Sequence, residues 1–122
     1  MKKITLIIAI VFSGMLMQAQ ELNENAKLLK NGNEEVQEIY QQIRKFAVNK
    51  WDDEHNMVVY EINKQADAVF EFKEATSSST YDNDIMKKAL IKWSEKIDGE
   101  FMPDWNMLMY EYKKQLKAKN AY

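Results

Sequence analysis

The chain has 122 residues, with 17 Lys or Arg against 19 Asp or Glu, a single His and no Cys. Without cysteine there are no disulfides, thiolate metal sites or c-type haem attachment. The near-balanced charge lacks the basic stripe of a nucleic-acid protein, and the aromatic load argues for a packed domain rather than a disordered tail.

Met1-Lys2-Lys3, the apolar run Ile4 to Phe12 and then Met17-Gln18-Ala19-Gln20 have the charged, apolar and small-residue zones of a secretory signal peptide. Cleavage is expected after Ala19. The run is short of the ~20 apolar residues that span a bilayer, so no membrane span is expected after cleavage. Residues 20–122 then carry 15 basic and 19 acidic side chains, a net −4, and are expected in the periplasm or outside the cell.

Residues 20–33 form an N-terminal segment that is either frayed or a short helix from Glu21 to Lys30. Leu22, Ala26 and Leu29 share a face of that helix, and Asn31-Gly32 stops it. Asn33 is a candidate N-cap, with Glu34 and Glu35 where the helix dipole favours acids. No Gly or Pro follows until after Ala75. Tyr40, Ala47, Val48, Trp51, His55, Val58, Ile62, Ala66 and Val69 keep one helical phase, which favours a continuous helix over 34–75. The alternative is two helices meeting near Asp52-Asp53, where either aspartate could cap the second.

Residues 76–83 read as a polar loop, with Asp82 or Asn83 capping the next helix. That helix is expected from about Asp84 to Ile97, burying Ile85, Met86, Ala89, Leu90, Trp93 and Ile97, and ending at Gly99. Pro103 suits the first turn of a final helix to Lys119, with Trp105, Leu108, Met109, Tyr112 and Leu116 on its core face. Short alternating apolar runs are absent, so no strand is expected.

The strongest internal signal is a repeat. Asn56-Met57-Val58-Val59-Tyr60-Glu61-Ile62-Asn63-Lys64-Gln65-Ala66-Asp67-Ala68 recurs fifty residues later, from Asn106 to Ala118, with seven of thirteen positions identical. Upstream, Ala47-Val48-Asn49-Lys50-Trp51 is echoed by Ala89-Leu90-Ile91-Lys92-Trp93 at an offset of 42, so the second unit holds eight extra residues. The expected fold is all-α: an antiparallel helical hairpin or four-helix bundle within residues 34–122, built from duplicated units at about 47–75 and 89–119. A hairpin turning at Thr76 to Thr80 would relate its arms by a rough two-fold.

On a helical wheel, Val58, Val59, Ile62, Ala66, Val69 and Phe70 form a core stripe. Most identical residues lie opposite. Met57, Tyr60, Glu61 and Lys64, with Met107, Tyr110, Glu111 and Lys114, are therefore the candidate partner-binding residues. The competing reading makes Glu61 with Lys64 and Glu111 with Lys114 surface pairs at i,i+3 spacing, worth ~0.2 to 0.5 kcal/mol each, inherited with the duplication.

Asp52-x-x-His55 could supply two metal ligands, but Trp105 stands where His55 would recur, so a hydrogen-bonded core histidine is the expected role. A periplasmic helical bundle that binds a metal or a haem through His55, the haem with a methionine as second ligand, is the alternative from another functional class. Serines at 77–79 lack a second histidine or a nucleophile elbow, and no catalytic residue is assigned. Ala89-x-x-x-Trp93 with Asp98 resembles a helix of small periplasmic lysozyme inhibitors, over about ten residues. The Gln-Arg and Arg of that pattern, and the family's cysteines, are absent here. The resemblance implies a secreted inhibitor and transfers no residue role.

The expectation is an exported, non-catalytic protein without resident cofactor that binds another protein or a cell-envelope component. Each hairpin arm has more apolar surface than one helix covers, which predicts a homodimer.

Overall fold

The computed structural model describes residues 20–122, and the expected signal peptide lies outside them. The described chain is mostly helical: α1 (Glu24–Lys30), α2 (Glu34–Trp51), α3 (His55–Thr76), α4 (Asn83–Lys92) and α5 (Trp105–Asn120). Two short strands, β1 (Ser94–Ile97) and β2 (Glu100–Pro103), separate α4 from α5. Local chemistry sets most helix starts. Asn23, Asn33, Asp82 and Asp104 each place a side-chain oxygen on the backbone N–H three residues on, which satisfies a donor that the first turn leaves without a partner.

The expected continuous helix over 34–75 is broken. Asp52 adopts φ 56° and ψ −118°, and the Glu54 N–H closes a tight turn on the Trp51 carbonyl at 3.1 Å. This backbone costs a non-glycine residue on the order of 1–3 kcal/mol, so tertiary contacts must hold it. Preserved phase misled here because the turn is so short that α3 resumes with nearly the same residues facing α2. The break falls at Asp52-Asp53, as in the two-helix alternative, and Glu54 holds the N-cap position of α3 without a side-chain bond.

The strands correct a second expectation. The fourth helix stops at Lys92 instead of Ile97, and Pro103 closes β2 instead of opening α5. Ser94 pairs with Pro103 and Ile97 with Glu100 in an antiparallel ladder. Asp98 and Gly99 both have positive φ, 52° and 78°, the conformation of a two-residue type I′ hairpin turn. Alternation along the ladder sends Ile97 and Met102 inward against Phe46 of α2, while Phe101 and Lys96 face out together.

Ala26, Leu29, Tyr40, Ile43, Ala47, Val58, Ile62, Ala66 and Val69 form the core between α1, α2 and α3. A second core joins Ala68 of α3 to Met86, Ala89, Leu108, Met109 and Tyr112 of α4 and α5. α3 belongs to both. Its main neighbour in the second half of the chain is α5, not α4. Gln65 meets the start of α5 and Glu71 pairs with Lys113 further along it, so the two helices run in the same sense. The expected two-fold hairpin folded at 76–80 is therefore replaced by two helix pairs, α2/α3 and α4/α5, set side by side. Leu90, expected in the core, is exposed.

A Cβ on Gly99 would meet no atom within 4 Å, so Gly99→Ala tests the backbone alone. It should cost about 1–2 kcal/mol through the unfavourable positive φ. Chemical denaturation would measure this as a lower midpoint, and an unchanged midpoint would mean the hairpin contributes nothing to global stability.

Candidate binding surface

The identical residues of the repeat divide into two groups with different surroundings. Glu61 is completely buried, and four donors surround its carboxylate. The Trp51 indole N–H reaches Oε1 at 3.1 Å, Gln65 Nε2 reaches Oε2 at 2.8 Å, and the ammonium groups of Lys50 and Lys64 lie 3.1 and 3.6 Å from Oε1. In the second unit Glu111 repeats the arrangement. Trp93 Nε1 lies 3.4 Å and Lys92 Nζ 3.1 Å from Oε1, and Gln115 Nε2 lies 2.8 Å from Oε2. Each lysine also rides over its neighbouring indole, Lys50 at 5.7 Å from the Trp51 ring and Lys92 at 5.8 Å from Trp93. Lys-Trp at the end of one helix and Glu-x-x-x-Gln early in the next thus tie each helix pair together.

This corrects the reading of Glu61 and Glu111 as exposed contact residues or weak surface pairs. A buried carboxylate is tolerated only when its oxygens are supplied with donors. Burial by itself would raise the Glu61 pKa; the Gln65, Trp51 and Lys50 donors outweigh it and hold the group below its usual value. Bonds from Gln115 and Lys92 bring Glu111 down to about 2, against the smaller opposing effect of desolvation.

The two clusters differ in what covers them. Gln65 is fully buried and uses its whole amide. Nε2 donates to Glu61 and, at 2.9 Å, to Asp104 Oδ1, while Oε1 accepts the backbone N–H of Trp105 at 2.6 Å and of Asn106 at 3.4 Å. The start of α5 is therefore seated on the first cluster. Gln115 is exposed, and its hydrogen bond among the described residues goes to Glu111.

The remaining candidates do face solvent. Tyr60 is 47% and Tyr110 56% exposed. Lys64 Nζ stands 5.3 Å over the Tyr60 ring, Lys114 is exposed, and Met57 and Met107 are half-buried. Asn106, Met107, Tyr110 and Lys113 line an open crevice of about 230 Å³ with Glu71. At the matching place in the first unit, Asn56 and Asn63 hold residues 20–23. Gln20 N–H donates to Asn56 Oδ1 at 3.2 Å, Asn23 N–H to Asn63 Oδ1 at 2.9 Å, and Asn63 Nδ2 to the Glu21 carbonyl at 2.9 Å.

His55 is exposed in the first turn of α3, which overturns its expected place in the core. No group of three metal-ligating side chains occurs among the described residues. Trp105, at the matching position, is half-buried, packs edge-on against Phe72 at 5.1 Å, and leaves its buried indole N–H without a hydrogen bond. The identity of Lys-Trp at one offset and Glu-x-x-x-Gln at another was the available signal for the clusters, but it spans two helices and a wheel treats one at a time. Ile91 and Phe101 are 80% and 68% exposed; Ile91 lies within the expected fourth helix and Phe101 in the link between the two expected helices.

Glu61→Gln should destabilise the fold by about 2 kcal/mol, the range for hydrogen bonds to a charged group. Glu111→Gln should lose less, because water can reach its cluster. Both carboxyls sit below their unfolded value of about 4.3, so their contribution is complete above that pH and lost as pH falls through the folded values, about 2 for Glu111. Melting temperature should therefore drop between pH 5 and 2, less steeply in the doubly substituted protein; parallel curves would show that other groups carry the acid sensitivity.

Comparison with protein-family models, curated proteins and solved structures returned no match to this chain.

Proposed function

We propose that this is an exported helical protein, built by internal duplication, that binds another protein or a cell-envelope component without catalysis. One observation carries the reading. Among the residues identical in both units, the glutamates and glutamines are accounted for by the clusters and Ala68 by the core, while Tyr60 and Tyr110 remain about half exposed with no described hydrogen bond. A tyrosine offers large contact area at small entropic cost and a hydroxyl that can choose a partner. Two such rings on neighbouring helices running in the same sense give a repeated contact surface, with Met57, Lys64, Met107 and Lys114 around them.

No helix of the described residues is long and apolar enough to cross a membrane, which is compatible with release after cleavage at Ala19. His55 belongs to no group of three His, Cys, Asp or Glu side chains able to hold a metal ion among the described residues.

The test is capture from envelope extract by immobilised protein, beside a Tyr60→Ala, Tyr110→Ala double variant. The wild type should retain a saturable component, and the double variant, with an unchanged melting temperature, should retain at least tenfold less. Equal retention by both would remove the tyrosines from the contact.

A further inference from the structure

Between α4 and α5 lies an open groove of about 510 Å³. Its place is explained by the repeat. The start of α5 rests on three residues of α3: Gln65 through hydrogen bonds, Ala68 in the shared core, and Phe72 edge-on to Trp105. Fifty positions later stand Gln115, Ala118 and Tyr122, and all three line the groove. On the other wall the offset of 42 carries Lys50 to Lys92 and Phe46 to Lys88, and both lysines line it too. The groove is thus the second unit's counterpart of a seat that the first unit fills with Asp104-Trp105-Asn106.

We propose that this groove binds the first turn of a helix from a partner protein, led by an acidic N-cap residue and then an aromatic one. The filled seat supplies the chemistry. There Asp104 accepts from Gln65 Nε2 while capping its own helix at Met107 N–H, and the next two backbone N–H groups donate to Gln65 Oε1. Gln115 offers the same amide, with its oxygen exposed and accepting no described bond. Ala118 leaves room for an aromatic ring, and Tyr122, fully exposed just past the end of α5, is the residue at the sequence offset of Phe72, which meets Trp105 in the first seat.

One difference refines the choice. Phe46 is buried under Ile97 and Met102 of the hairpin, whereas its counterpart Lys88 is exposed. An ammonium there disfavours an apolar hairpin; with Lys92 paired to Glu111, Lys119 to Asp82, and Asp84 also on the lining, the charges of the groove balance. Among residues 1–122, Asp104-Trp105 is the one Asp-aromatic dipeptide, and it already occupies the first seat. The inference rests on reading the two segments as copies and does not involve Tyr60 or Tyr110.

A labelled peptide copying residues 104–116, titrated into the whole protein and followed by fluorescence anisotropy, is the probe. It should bind saturably, with at least tenfold loss on Gln115→Leu in the protein or on Asp104→Ala in the peptide, and no change in the Tyr60→Ala, Tyr110→Ala protein. No saturation at high micromolar concentration would overturn the proposal. Equal binding to Gln115→Leu would also overturn it, since the peptide would then be replacing the chain's own α5. Dimerisation of the protein alone that disappears with Gln115→Leu in sedimentation would assign the groove to a second copy instead.

Discussion

A carboxylate at zero exposure is the constraint around which the first half of this protein is arranged. Taken out of water without partners, the Glu61 charge would be prohibitive; its donors come from the end of α2 and from its own helix, where Gln65 is in turn bonded to the start of α5. Three segments distant in sequence are thereby fixed to one point. Hydrophobic burial brings the helices together, but it is non-directional; the hydrogen bonds of Glu61 and Gln65 select one rotation and one register of α3 against its neighbours.

That selection makes α3 the shared element. One face packs on α1 and α2, the other on α5, and the turn at Asp52 is held in an unfavourable backbone conformation so that α3 can return along α2. The second unit repeats the Lys-Trp and Glu-Gln pairing between α4 and α5 across a different connection. That connection is longer than the turn at Asp52 and holds the β-hairpin, which packs Ile97 and Met102 over Phe46 and leads into α5 at its seat on Gln65.

The two units consequently end differently. Each presents an amide next to a buried or nearly buried carboxylate, but only the first has the N-terminus of a following helix placed on it. Residues 20–23 likewise fill beside α3 the position that stays open beside α5 as the crevice at Tyr110.

Much of the local structure was legible in the residues. Asn33 and Asp82 as caps, the helix stop at Asn31-Gly32, the loop after Thr76 and the core stripe Val58, Ile62, Ala66 and Val69 follow from hydrogen-bonding capacity and helical period, which act over a few residues. Asp98-Gly99 was a readable hairpin signal hidden by apolar residues that also fit a helix. The repeat was plain in sequence, and the helical wheel placed its tyrosines on the face away from the Val58 stripe, without deciding whether neighbouring helices cover them. What the sequence could not decide was the fate of Glu61 and Glu111. On one helix a glutamate three residues from a lysine looks like a solvated pair; whether it is buried depends on a tryptophan and a lysine arriving from another helix, and on α5 closing over Gln65. Those are tertiary events, because the free energy of a buried charge is set by what surrounds it in space and not by its neighbours along the chain.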